Sequence, residues 1–267
     1  MSVEPFVALM RRYCIDYTNS HDQKVCDEIM APEYVVHISG FDLPRDAAYK
    51  PAVTRVFARF PGLQLQVHEL VTNGERLAMR FSEHGAAADA NGRLAAWGGI
   101  GLYRWNGHQL LENFVEQDFL AQEEQLASGV PAPLETPHLD PWTTTRAEPA
   151  NADAERVARA WLAKGDLRAA ANAGIDGSWH APLAPSPIEV ESVAVNDLFS
   201  AGARVAFHVT QRGRYRGGLA GLDGAKAGRP MSLRCVGLAR VEGGEVLAVR
   251  VVTDRLGARM ALAQGAA

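Results

Sequence analysis

Three side chains near the end of one predicted strand could carry acid/base chemistry. Phe114, Glu116 and Asp118 alternate along the chain, so they share one face of that strand. If this face lined an apolar pocket, two carboxylates within roughly 7 Å would repel each other and one pKa would rise. A carboxyl group that titrates near neutrality suits general acid/base catalysis. Asp118 is therefore predicted to transfer protons and Glu116 to contact substrate, although Asp118 could instead cap the helix that begins at Phe119.

Three histidines are further candidates for proton transfer. His37 follows an apolar strand, and His180 occupies the matching position later in the chain. Either imidazole could exchange a proton with a substrate oxygen, or could be a structural histidine bonded to backbone. His84 lies on the polar face of its strand and reaches a pocket only if that face lines it. The opposite face of the same strand carries Leu77, Met79, Phe81 and Glu83.

Aromatic residues are concentrated in the first half of the chain. Of 20 Phe, Trp and Tyr residues, 14 lie in residues 1–128 and five in residues 151–267. An aromatic-lined cavity suits a planar or phenolic ligand. Tyr17, Trp97 and Phe114 are predicted to shape such a cavity, and Tyr13, one helical turn before Tyr17, could add a second phenol or simply pack in the core. The first half is therefore predicted to perform the chemistry.

The second half offers a different set of charged residues. Asp254 occupies the position that matches Asp118, and Arg212, Arg214 and Arg216 share one side of a strand. These arginines could hold an anionic group, or could form a solvated strand surface that resists aggregation. Asp254 and Arg212 are accordingly predicted to contact substrate.

The sequence contains no pattern typical of a cofactor or metal site. It lacks HExxH and CxxC spacings, a P-loop and a dinucleotide fingerprint. The number of cysteines is odd, at three. We therefore predict an enzyme that uses neither metal nor cofactor, in a reducing cytoplasmic compartment.

The chain contains an internal repeat that would position these residues. Residues 74–78 match residues 202–206 at an offset of 128, and residues 103–107 match residues 239–243 at an offset of 136. The second copy thus carries eight extra residues between the two blocks. A repeat of this length indicates a duplicated domain.

Each copy is predicted to begin with helices and to continue as a meander of long strands, the pattern of an α+β domain. The predicted domains span residues 1–128 and 151–267. Between them, residues 129–150 hold five prolines, which cannot sustain a helix or a central strand. This segment is predicted to be a semi-rigid linker.

Composition excludes several classes of protein. Net charge is −6 for residues 1–128, −2 for residues 129–150 and +4 for residues 151–267, so neither half is basic enough for nucleic acid. No apolar run is long enough to span a membrane, and the first residues do not resemble a secretory signal.

The chain resembles the NTF2-like superfamily and, within it, the SnoaL-like polyketide cyclases. Residues 74–78, 83–85 and 103–112 carry the resemblance in the first copy, and residues 213–217 and 228–230 carry it in the second. The resemblance implies two cone-shaped α+β barrels, each with helices packed on a curved antiparallel sheet around an apolar pocket. It also implies that Asp118 and Asp254 occupy the position of the family's acid.

From the resemblance and the residues together we predict a cofactor-independent lyase, isomerase or cyclase that acts on a hydrophobic, aromatic or polycyclic small molecule. The alternative is a non-catalytic small-molecule-binding or scaffold protein. The two domains are expected to pack through their sheets as an internal pseudo-dimer, because similar surfaces pair most simply about a twofold axis. Further homo-oligomerisation is compatible with this arrangement.

Overall fold

The computed structural model describes residues 3–177, 183–222 and 226–265. The first domain contains six strands in one sheet, with the spatial order β2-β1-β6-β5-β4-β3. The strands are β1 (Met30–Ile38), β2 (Phe41–Pro44), β3 (Gln64–Thr72), β4 (Arg76–Ala87), β5 (Arg93–Trp105) and β6 (Leu110–Gln117). Four helices belong to this domain: α1 (Pro5–Arg11), α2 (Lys24–Ile29), α3 (Lys50–Arg59) and α4 (Phe119–Ser128).

The helices begin where the sequence provides caps. Pro5 occupies the first turn of α1, and the Glu4 carboxylate accepts a hydrogen bond from Val7 N at 2.7 Å. The helix continues as a π-helical segment, Arg12–Asn19, which buries Tyr17 against the sheet. Asp118 caps α4 through the amide of Ala121 at 3.2 Å.

The segment between the domains lies against the first domain. His138 N donates to Val67 O at 2.9 Å, and Glu135 forms an ion pair with Arg80 at 2.7 Å. A short helix, α5 (Pro141–Thr144), carries Trp142, which packs against the first hydrophobic core. The proline-rich segment is thus extended and docked.

The second domain repeats the plan with one sheet, ordered β7-β11-β10-β9-β8. Its strands are β7 (Asn172–Ile175), β8 (Ile188–Ala201), β9 (Arg204–Tyr215), β10 (Pro230–Glu242) and β11 (Glu245–Thr253), and its helices are α6 (Ala152–Leu162) and α7 (Arg255–Gln264). Only twelve residues join β7 to β8, whereas twenty-five join β1 to β3. The shorter connection cannot hold counterparts of both β2 and α3.

The predicted α+β architecture of two helix-covered sheets is confirmed. The sheets are mixed, however, where antiparallel sheets were predicted. β1 runs parallel to β6, and β7 runs parallel to β11. In each domain the first strand is separated from the last by the whole meander, so the last strand can return beside it in the same direction. In the described residues, no helix is both long and apolar enough to cross a membrane.

The two sheets pack back to back through a small apolar cluster. Six of its eight buried members form equivalent pairs from the two domains: Ala78 with Ala206, Ile100 with Val236, and Leu102 with Leu238. The cluster lies on the outer face of each sheet, opposite the face that supports the helices.

Ion pairs across this interface show the internal twofold symmetry. Arg76 pairs with Asp197, and Arg204 pairs with Glu69. Both pairs are related by the repeat offset of 128, so each domain contributes the same arginine and the same acidic position. Glu69 and Asp197 also follow equivalent irregularities in β3 and β8. Reciprocal contacts of this kind define a twofold interface.

Two further ion-paired groups lie near the junction of α4 and α7: the Asp118–Arg255–Asp176 cluster and the Glu123–Arg259 pair. Arg255 Nη2 contacts both carboxylate oxygens of Asp118 at 2.6 Å, and Arg255 Nε lies 3.4 Å from Asp176 Oδ2. Glu123 pairs with Arg259, which occupies the equivalent position at the offset of 136. This second pair therefore lies at the pseudo-twofold axis.

We expect Arg255→Met to lower the free energy of unfolding by about 3–5 kcal/mol at pH 8, because it leaves Asp118 and Asp176 buried without their shared cation. Burial, together with the Asp118 charge, raises the pKa of Asp176 to about 7, above its unfolded value. A raised pKa means that stability is lost as pH rises through the folded value, so the deficit should shrink at pH 5. Urea denaturation of the wild type and the variant at both pH values measures this deficit in the free energy of unfolding.

Arg216→Met is the matched control, because Arg216 pairs with Glu189 on the surface. That substitution should cost less than about 1 kcal/mol at either pH. Equal losses for the two variants would show that the Asp118–Arg255–Asp176 cluster does not stabilise the domain interface.

Candidate functional site

The first domain encloses a cavity of about 380 Å³ between the inner face of its sheet and the helices. This volume is at the lower end of the range for small-molecule sites. The walls are mainly aromatic and aliphatic. The largest aromatic contributors are Tyr17, Phe57, Phe60, Phe81, Trp97 and Tyr103.

Strand alternation determines which side chains face this cavity. On β6 they are Asn113, Val115 and Gln117, and on β4 they are Phe81 and Glu83. The residues between them point to the outer face, which the second domain covers at β6 and residues 132–136 border at β4. The inner face of the sheet therefore carries the candidate site.

Glu83 is an acidic residue that lines this cavity. Its neighbours across the sheet are Leu65 and Trp97, and no described residue forms a hydrogen bond with its carboxylate. The accessible part of its side chain faces the cavity while protein surrounds it. Burial raises the pKa of Glu83 to about 7. The carboxyl group can consequently exchange a proton near neutral pH.

Four tyrosines also contribute hydroxyl groups to the lining: Tyr13, Tyr17, Tyr49 and Tyr103. Tyr13 Oη lies 3.4 Å from Tyr49 Oη. The hydroxyl of Tyr17 and Oδ1 of Asn113 are buried without a hydrogen-bond partner among the described residues. Burial raises the pKa of Tyr13, and the charge of nearby Glu83 raises it further, so this phenol stays protonated and can donate a hydrogen bond.

The cavity also contains a fixed amide. Trp97 Nε1 donates to Gln117 Oε1 at 2.7 Å, which holds both side chains in place. Within the described residues, no group of three or more His, Cys, Asp or Glu side chains is arranged to hold a metal ion.

Tyr17 and Trp97, both predicted from sequence, line this cavity. Phe114, Glu116 and Asp118 do share one strand face as predicted, but that face is directed at the second domain. Phe114 packs against the interface cluster, and the others form hydrogen bonds there. The prediction that these three residues share a strand face was correct. That face is the outer face of the sheet, not the face that lines the cavity.

Glu116 and Asp118 have partners that explain their burial. Glu116 accepts hydrogen bonds from Ser39 N at 3.1 Å and pairs with His208 Nε2 at 3.2 Å. Burial raises the pKa of Glu116. Asp118 bonds the Ala121 amide and Arg255, so both carboxylates hold the domains together at positions outside the cavity lining.

His37 and His84 also lie outside the cavity lining. His37 stacks on Phe114 at 4.2 Å between ring centroids, and its nitrogens contact Asp42 at 2.7 Å and Glu112 at 3.2 Å. His84 is on the opposite face of β4 from Glu83. Its Nδ1 is buried without a hydrogen-bond partner among the described residues, and burial lowers its pKa.

The predicted residues of the second domain are dispersed. Asp254 caps α7 through Gly257 N at 2.9 Å and accepts a hydrogen bond from Ser39 Oγ at 3.2 Å. Arg212 is exposed on β9. His180 lies outside the described residues.

The second domain replaces the polar residues of the first cavity. The repeat offsets place Gln211 at the position of Glu83, Leu233 at that of Trp97 and Ala239 at that of Tyr103. Gln211 Nε2 donates to Gly165 O at 2.8 Å. The Gln211 amide group thus forms its hydrogen bond within the second domain.

Sequence reasoning did not propose Glu83, although the signal was present. Glu83 falls on the apolar face of its strand, with Leu77, Met79 and Phe81. An ionisable group on a face that must be buried is a candidate for a functional site.

Comparisons with known proteins agree with this architecture. The profile of the SnoaL-like polyketide cyclase family matches residues 8–126 and 188–262, together more than half of the chain. No curated protein gives a significant match.

Two solved structures illustrate the similarity. IdmH from Streptomyces antibioticus, provisionally described as a polyketide cyclase, is 19% identical; the match covers 46% of this chain and 99% of IdmH, with a TM-score of 0.42. A protein from Acidithiobacillus ferrooxidans with the same provisional description is 20% identical over 48% of this chain and 99% of its own, with a TM-score of 0.42. The predicted resemblance is confirmed: the chain belongs to the SnoaL-like polyketide cyclase family, as a tandem duplication of its NTF2-like domain.

Proposed function

We propose that this protein is a cofactor-independent lyase, isomerase or cyclase, and that it transfers a proton on a hydrophobic aromatic or polycyclic molecule bound in the first domain. The observation that carries the proposal is the Glu83 carboxyl group, which faces a largely apolar cavity without a protein partner among the described residues. Family membership supports a cyclase- or isomerase-type activity.

In the proposed reaction Glu83 is the general base. Its carboxylate takes a proton from a carbon next to a substrate carbonyl; the electron pair of the C–H bond forms a C=C bond to the carbonyl carbon, and the π pair of the C=O bond moves onto the oxygen. The phenols of Tyr13 and Tyr49 are suited to donate hydrogen bonds to that oxygen as its charge grows. The proton returns from Glu83 to the substrate when the new bond or double-bond position is established.

The apolar walls favour this role. They exclude water, which strengthens hydrogen bonds to the developing charge and keeps the carboxyl pKa high. Asp118, the candidate from sequence, receives less support, since its carboxylate is already engaged by Arg255 and the Ala121 amide.

We expect Glu83→Gln to lower kcat by about 10²–10⁴-fold, because glutamine keeps the size of the side chain but cannot accept the proton. The chain itself has glutamine at the equivalent position of the second domain, Gln211, so the fold accommodates this residue. The assay is hydrogen–deuterium exchange next to the carbonyl of bicyclic to tetracyclic aromatic ketones, followed by NMR.

Stability separates this role from a structural one. The folded-state pKa of Glu83 lies above its unfolded value, so the ionised group destabilises the protein as pH rises through about 7. Glu83→Gln should therefore be as stable as the wild type, or more stable, at pH 8. Asp118→Asn should show the opposite pattern, with a loss of stability. Exchange that survives in Glu83→Gln would contradict the role of Glu83, and a lack of exchange with the wild type would favour a non-catalytic binding protein.

The pH dependence offers an independent test. A base must be deprotonated, so kcat/KM should rise about tenfold per pH unit at acidic pH and level off above a pKa of about 7. A carboxyl resonance of ¹³C-labelled glutamate that titrates near this value, and disappears in Glu83→Gln, would assign the group. A profile flat from pH 5 to pH 8 would exclude Glu83 as the base.

A further inference from the structure

The exposure of its lining residues locates the mouth of the cavity. Tyr17 and Tyr103 are each only 1% exposed, so they lie at its closed end. Phe41, on the edge strand β2, is 67% exposed, and Val56 on α3 is also exposed. The opening therefore lies beside the β1–β2 hairpin and α3.

The second domain supplies a wall of this cavity. Leu256, at the start of α7, lines the cavity and also packs against the core of its own domain. One turn further along α7, Arg259 pairs with Glu123, another lining residue, whose side chain is 42% exposed. Leu256 is itself only half-buried, so this part of the cavity lining also reaches solvent.

The second domain also holds the hairpin that carries Phe41. The turn between β1 and β2 uses left-handed backbone at Ser39 and Gly40, with φ values of 51° and 82°. Ser39 Oγ donates to Asp254 Oδ1 at 3.2 Å. The guanidinium of Arg234 packs so closely on Gly40 that a Cβ atom there would collide with it. Both Asp254 and Arg234 belong to the second domain.

We propose that the second domain determines which ligands enter the first: Leu256 forms one side of the mouth, and Asp254 and Arg234 position the hairpin that presents Phe41. This inference rests on the proposed function for the aromatic, polycyclic nature of the ligand. Because the cavity is small, a long polycyclic ligand must pass and contact the mouth, whereas a two-ring ligand can lie inside it.

Two fluorescent phenols of different length, 2-naphthol and the four-ring equilenin, test the inference by stopped-flow binding. Leu256→Trp should slow the association of equilenin by about tenfold or more and that of 2-naphthol by less than about threefold. Met260→Trp is the control, since Met260 is 51% exposed on the same helix and lies outside the cavity lining. It should change neither rate.

The positioning role needs its own variant. Ser39→Gly removes the hydroxyl bonded to Asp254 and accommodates the left-handed backbone without strain. We expect a dissociation rate for equilenin raised by about threefold or more, with the melting temperature unchanged.

If Leu256→Trp does not fold, Leu256→Ala should raise both the association and the dissociation rate constants for equilenin.

The outcomes separate this inference from the proposed function. Unaltered equilenin kinetics in both Leu256 variants, or no binding of either phenol to the wild type, would overturn the inference whatever Glu83→Gln does to turnover. Slowed association in Leu256→Trp would support it even if Glu83→Gln retained activity, in which case only the proposed chemistry would fail.

Discussion

Back-to-back packing of the two sheets is the constraint on which the rest of the molecule depends. A sheet has two faces, and the pairing of Ala78 and Leu102 with Ala206 and Leu238 uses the outer face of both. Removing this apolar area from water stabilises the pair, at roughly 25 cal/mol per Å². The part of the outer face that this cluster covers is then unavailable to a ligand. Which acidic residues can meet a substrate is thus decided by domain association.

The sequence was informative about local structure and internal symmetry. Matching segments at offsets of 128 and 136 correspond to equivalent strands with the same pairing register, and alternation along β6 was correct. What it could not supply was the identity of the buried partner of each face. Glu116 was predicted to be a pocket residue because the sequence around it does not indicate its hydrogen-bond partner His208, which lies ninety-two positions away. Glu83 was passed over because an apolar face was equated with a filled core.

The two domains are similar in plan and unequal in chemistry. The first retains α3 and a cavity with an acid and several phenols, whereas the second has a shortened connection and glutamine at the position of the acid. The side-chain amide of that glutamine, Gln211, donates a hydrogen bond to Gly165 O. Because the second domain lacks the acid of the first cavity, its residues can instead serve to support the first domain.

The Glu123–Arg259 pair at the pseudo-twofold axis has a consequence for the history of the molecule. In an assembly of two identical chains, a residue on the axis meets its own copy, so two glutamates or two arginines would repel there. Opposite charges at equivalent positions require genetically distinct halves, which tandem fusion provides at a fixed one-to-one stoichiometry. The two halves of this polypeptide are therefore complementary at the axis and cannot be interchanged there.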